Sequence, residues 1–124
     1  MLPRQARLTR GTDFARARSQ GRSWANRLLV VCKVPNHLSQ SRLGFSISRR
    51  VGNAVVRNRV KRRLSEIVRL QYDLIESGWD IVIIARNPVA SASFSETEEA
   101  LCDLARWADL YAGLGQTDDR EETT

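Results

Sequence analysis

The 124-residue sequence predicts an α+β fold, an α-β sandwich running helix, strands, long basic helix, strand, helix, with the helices packed against one sheet. Three stretches carry that expectation. Residues 42–48 alternate, with Leu43, Phe45 and Ile47 on one face and Arg42, Gly44, Ser46 and Ser48 on the other, which is the period of a half-buried strand. Over residues 53–76, Val56, Val60, Leu64, Ile67 and Val68 recur at helical spacing and make one apolar stripe. Residues 80–85, DIVIIA, are apolar almost throughout, as expected of an interior strand covered on both faces.

The remaining elements follow in chain order. Residues 1–8 read as a loose basic arm. A short helix fits residues 12–19 and is closed by Gly21. Residues 28–34 are rich in β-branched side chains and read as a strand that begins as early as Ser23. Residues 35–41 form a polar loop. The polar side of the 42–48 strand has nothing to bury, which predicts an open surface on the sheet. Ser77-Gly78 stops the long helix. Ser93 and Glu96 have capping-box spacing and open a last helix that buries Leu101, Leu104, Ala105 and Ala108. Residues 114–124 are acidic and polar and read as a disordered tail, which leaves one domain over residues 1–113. Trp79 and Trp107 read as packing residues, and Trp24 stays open.

Charge is segregated along the chain. Residues 1–72 hold 17 of the 20 basic side chains and only Asp13 and Glu66 as acids, a net of +15. Residues 73–124 hold 3 basic and 12 acidic side chains, a net of −9. A polycationic half favours a polyanionic partner, and nucleic acid is the commonest. Arginine supplies nearly all of the charge, Lys33 and Lys61 being the only lysines. Its planar fork suits phosphate oxygens and stacks on bases. No apolar run is long enough to cross a bilayer, and the basic N-terminus lacks the apolar stretch of a secretory signal, so the expected location is the cytosol. Cys32 and Cys102 have no metal-ligand spacing and are expected to stay thiols there.

The densest information lies in residues 42–69, RLGFSISRRVGNAVVRNRVKRRLSEIVR. The strand ends in Arg49-Arg50, the chain turns through Val51-Gly52-Asn53, and the helix that follows carries Arg57, Asn58, Arg59, Lys61, Arg62 and Arg63. Gly52 permits a tight strand-to-helix junction. Asn53 is placed to cap the helix, whose free N–H groups then lie near the cations, a natural place for a phosphate. At ~100° per residue Arg59, Arg62 and Arg69 fall opposite the stripe, with Lys61 and Arg63 flanking it. Seven cations in the fifteen residues 49–63 would repel one another without an anion between them.

The run GNAVVRNRVKR, residues 52–62, resembles the RNR signature of bacterial ribonuclease P proteins. The likeness extends from about Leu8 to Tyr111 and includes Asp13-Phe14, Ala25-Asn26-Arg27, and DIVIIAR followed by Asn87-Pro88. The resemblance implies a left-handed β-α-β crossover and two RNA-facing surfaces. Arg49, Arg50, Asn53, Arg57, Asn58, Arg59, Lys61 and Arg62 would bind the catalytic RNA subunit. A cleft of Phe14, Arg18, Cys32, Ser46 and Ser48 would hold the 5′ leader of precursor tRNA. Two departures stand out: the family lines this cleft with aromatics where Arg18 and Cys32 stand here, and Ser65 replaces a usual arginine. The implied function is that of an accessory subunit that promotes removal of the leader. Its partners would be ribonuclease P RNA and precursor tRNA, with neither DNA nor membrane, and the Mg²⁺ ions would be held mainly by the RNA.

Three rival readings bear on the same residues. A protein-only nuclease needs converging carboxylates or a histidine base, and the basic half offers only Asp13 and Glu66, with His37 in a loop. A ribosomal-type or general RNA-binding protein would use the basic helix equally well, and only the signature argues against it. A helix-turn-helix DNA reader needs a partner helix before the basic one, where a strand stands instead.

Overall fold

A computed structural model describes residues 2–112, so the expected acidic tail lies outside the described residues. In chain order the elements are α1 (Gly11–Gln20), β1 (Arg22–Ala25), β2 (Leu29–Pro35), β3 (Arg42–Ser46), α2 (Ala54–Gln71), β4 (Trp79–Ala85) and α3 (Phe94–Trp107). Short 3-10 turns stand at Arg4–Ala6, Tyr72–Leu74 and Asn87–Ser91. The sheet order is β1-β2-β4-β3, with β4 antiparallel to β2 and parallel to β3. DIVIIA thus becomes an interior strand, and α2 joins the two parallel neighbours.

Two apolar layers flank the sheet. On one side Leu29, Val31, Leu43, Ile81 and Ile83 pack under Val60, Leu64, Ile67 and Val68 of α2 and Leu101 and Leu104 of α3. The alternate residues Cys32, Val34 and Val82 face the other way and join Leu8 and Ala17, with Phe14, Val30 and Ile84 partly buried beside them. The capping box forms: Ser93 Oγ accepts from Glu96 N at 3.0 Å, and Ser93 N donates to Glu96 Oε1 at 2.8 Å. Among the described residues no helix is long and apolar enough to cross a membrane.

In its elements and packing the structure departs from the sequence reading at five places. The single strand expected over 23–34 is a hairpin, because Asn26 Oδ1 accepts from Leu28 N and Leu29 N while its Nδ2 donates to Ala100 O. A side-chain amide here stops the ladder and ties the turn to α3. Residues 2–8 are not a loose arm. Leu2, Ala6 and Leu8 are buried between the exposed arginines, and Leu8 N donates to Leu43 O at 2.8 Å, using the free edge of β3. The long helix ends at Gln71 and passes through a 3-10 turn before Gly78, whose φ of 94° suits glycine. The strand over 42–48 stops at Ser46, leaving Ser48 beyond it. Trp107, expected to pack, is 39% exposed, whereas Trp79 is half-buried and donates to Glu76 Oε1 at 3.0 Å. Trp24 is half-buried beneath the charges of Arg22 and Lys33, at 5.2 and 5.7 Å from its ring centre.

Candidate nucleic-acid interface

The basic helix begins from a braced junction. Val51 is buried and its N–H donates to Ser48 O at 3.1 Å, which anchors the turn. A Cβ on Gly52 would stand 2.7 Å from Val56 Cγ1, so the close approach of turn and helix requires glycine. Asn53 caps the helix, its Oδ1 accepting from Val56 N at 3.0 Å, and Arg57 Nε donates back to Gly52 O at 3.1 Å. Asn53 and Arg57 therefore hold the helix start in shape, while Arg49 and Arg50 stand exposed before it.

The cations of α2 divide into two groups. Asn58, Lys61 and Arg62 are exposed on the outer face, and among the described residues no carboxylate pairs with Lys61 or Arg62. Arg59, expected opposite the apolar stripe, is half-buried instead, with Nη2 donating to Ala90 O at 3.1 Å. Arg63 does the same to Ala92 O at 3.1 Å. The carbonyls of Ala90, in the Asn87–Ser91 turn, and of Ala92, just after it, face this flank of α2, and the two guanidinium groups satisfy them. Arg69 pairs with Glu66 at 2.6 Å in the open, which lowers the Glu66 carboxyl below its ordinary range and adds little stability.

The second surface lies on the opposite side of the sheet, where the strand registers build three rows. Ala25, Val30, Ile84 and Ser46 stand side by side, then Ser23, Cys32, Val82 and Gly44, then Val34, Asp80 and Arg42. Helix α1 covers the middle row. The Phe14 ring lies so close on Gly44 that a Cβ there would meet its Cζ at 2.4 Å. The first row is left half-open, with Val30, Ile84 and Ser46 partly exposed, and it is the candidate floor of the expected cleft, on the side of α1 that carries Phe14 and Arg18. The polar face of β3 is thus open only at Ser46 and onward to exposed Ser48.

Cys32 is not on that floor. It sits under α1 at 4% exposure, and burial pushes its thiol up from the ordinary range while the charge of Arg18 pulls the other way. A thiol in that state is a poor nucleophile and a small packing group. The floor residues Val30 and Ile84 escaped the sequence reading because an interior strand gives no alternation to show which apolar side chain is half-covered.

The sequence reading also missed a buried ion cluster at the third row. Asp80 is 0% exposed and accepts Arg42 Nε at 2.9 Å and Nη2 at 2.8 Å, Arg16 Nη2 at 2.9 Å, and Asn36 Nδ2 at 3.0 Å. Burial would raise this carboxyl, but the bonds from Arg42 and Asn36 and the two guanidinium charges outweigh it and hold it below the carboxylate range. Asp13 adds a longer contact to Arg42 at 3.6 Å. Both carboxylates near the cleft are therefore committed to arginine, and His37 is exposed on its loop. Among the described residues no group of three His, Cys, Asp or Glu side chains is placed to hold a metal ion.

Comparison with known proteins covers most of the chain. A family model described as Ribonuclease P matches residues 2–109. The chain is 42% identical over 112 residues to the ribonuclease P protein component of Clostridium beijerinckii, covering 85% of this chain and 90% of that one. It is 38% identical over 122 residues to that of Roseiflexus castenholzii, covering 97% and 100%. The fold superposes on the RNase P protein of Staphylococcus aureus with a TM-score of 0.81 at 33% identity, over 86% of this chain and 97% of that one. The RNase P protein of Thermotoga maritima gives 0.73 at 34% identity, over 79% and 93%. A signature helix on a braced turn, a matching α+β fold and identity spread over nearly the whole length make this chain a member of the ribonuclease P protein family.

Proposed function

We propose that this protein binds the catalytic RNA subunit of ribonuclease P through the outer face of α2 and the leader of precursor tRNA in the cleft beside α1, promoting hydrolytic removal of the leader. The observation that carries this reading is the exposed set Asn58, Lys61 and Arg62, whose cations pair with no described carboxylate, the neighbouring Glu66 being held by Arg69. Phosphate oxygens satisfy such a set and release counterions as they bind. Arg49 and Arg50 extend the surface at the helix start, where the N–H groups add a favourable field. In the cleft Phe14 offers a ring to a base, and Arg18 offers a fork to a phosphate or a plane to a second base. Ser46 and Ser48 offer hydroxyls.

The chain's own residues bind, neutralise and orient RNA. Hydrolysis needs a metal-activated water or a positioned base, and the carboxylates beside the cleft are neutralised by arginine. The catalytic centre and its Mg²⁺ ions therefore belong to the RNA subunit in this reading, and the site of action is the cytoplasm. The purified protein alone is expected to leave precursor tRNA intact, while protein plus ribonuclease P RNA cleaves faster than the RNA alone at low Mg²⁺. Leader removal by the protein without RNA would overturn the division of roles.

Arg62→Ala is expected to weaken binding to the RNA subunit and lower the log–log salt slope by about 0.7–0.9, with an unchanged melting temperature. Arg59→Ala should also lower stability, because it frees Ala90 O and the turn beneath it. Binding measured from low to high salt beside thermal melts separates the two. Parental affinity for Arg62→Ala at every salt concentration would remove α2 as the RNA interface.

A further inference from the structure

We propose that the Arg16–Asp80–Arg42 cluster is a positioning clamp that fixes the rotation of α1 on the sheet and thereby sets discrimination between precursor and mature tRNA. This rests on the cleft reading above. Helix α1 buries Ala17 fully against the middle of the sheet face, and Phe14 packs partly buried on one flank of it. Apolar contact on one flank of a pivot does not by itself fix the rotation of a helix about its own axis, so the other flank must be held too. At ~100° per residue, Phe14 and Arg18 leave Ala17 on one flank, and Asp13 and Arg16 leave it on the other.

The two flanks have different partners. On the first, the cleft flank, Phe14 rests on Gly44. On the second, Arg16 Nη2 bonds Asp80 Oδ2 at 2.9 Å and Nη1 bonds Pro35 O at 3.1 Å. Asp13 leans on Arg42, which forks the same Asp80. Asp80 is wholly buried and is held in turn by Asn36. A buried carboxylate with four bonds has one arrangement, so the flank tied to it has one arrangement too. If Arg16 lets go, α1 rolls about Ala17, and the Phe14 ring and Arg18 leave the cleft floor together. Arg16 acts here through the helix it holds and is a positioning residue.

The test compares holoenzymes containing parent, Arg16→Ala and Arg16→Lys, titrated with precursor and mature tRNA over a range of salt. Arg16→Ala leaves Asp80 with Arg42 and Asn36, so the domain should fold. If it melts below the assay temperature, Arg16→Gln carries the same expectation. Precursor preference should fall about fivefold or more, the low end of what one stacked base supplies. Arg16→Lys should recover part of it, since an ammonium replaces one of the two bonds. The salt slope should stay at the parental value, because the charge of Arg16 is spent on Asp80. A slope lower by about 0.7–0.9 would mean that Arg16 touches phosphate directly, and that result overturns the clamp. Full parental preference in Arg16→Ala overturns it as well. A parent holoenzyme that shows no preference would instead overturn the cleft reading, and the clamp's role with it.

Discussion

Asp80→Ala should lower folding stability by about 3 kcal/mol, the lower end of the 3–5 kcal/mol typical of breaking a buried ion pair. The lower end applies because the two guanidinium groups left behind are not sealed: Arg16 and Arg42 side chains are 32% and 26% exposed and regain part of their hydration. The loss falls on several elements together, since Asp80 joins β4 to β3 through Arg42, to α1 through Arg16 and to the loop after β2 through Asn36. Urea unfolding of parent, Asp80→Ala and Asp80→Asn measures it. A change within about 0.5 kcal/mol, ordinary for surface substitutions, would show that the cluster adds nothing.

The same carboxylate sets a pH dependence. Its folded value lies below the ordinary aspartate value of about 3.9. A depressed carboxyl contributes its full stability above the unfolded value and loses it as pH falls through the folded one. Parent and Asp80→Asn should therefore differ in melting temperature by a constant amount at neutral pH. The two should converge in acid below the ordinary aspartate range. A difference that stays constant throughout that acid window would contradict the assignment.

Phe14→Ala is expected to weaken precursor tRNA binding by the holoenzyme by roughly 1–3 kcal/mol, the range for one stacked base. Mature tRNA, having no leader, should bind as before. The ring also packs on Gly44, so a purely structural role predicts a lower melting temperature and equal losses for both tRNAs. Gly44→Ala separates the two. A methyl at that position collides with the Phe14 ring at 2.4 Å and pushes it aside without deleting it. If the ring stacks on a base, Gly44→Ala should lose precursor preference although Phe14 is still present. Equal losses of precursor and mature tRNA in both variants would reject the cleft.

Much of the site was legible because it is local. The Gly52 turn, the Asn53 cap and the outward placing of Arg62 depend on residues within one helical turn of each other, and each took the expected place. Phe14 and Arg18 share a flank for the same reason. Arg59 was misplaced by the same logic, since helical phase names a face and says nothing of what lies against it, and Cys32, placed in the cleft by the family resemblance, lies under α1. The carbonyls of Ala90 and Ala92 draw Arg59 and Arg63 in from 31 and 29 residues away.

Fold class, charge segregation, the caps at Asn53 and Ser93 and the exposed position of Arg62 were written locally in the chain, because period, capping and composition act over a few residues. Long-range packing set the docking of residues 2–8 on the β3 edge, the split of the strand expected over 23–34 into a hairpin at Asn26, and the pairing of Arg16 and Arg42 with Asp80. Asp80 lies 64 residues from Arg16 and 38 from Arg42, and nothing local distinguishes these two arginines from the solvated ones. The distinction arises when β4 inserts between β2 and β3 and carries the Asp80 carboxylate into a fully buried position. A buried charge must then find its opposite among whichever cations the topology brings within reach.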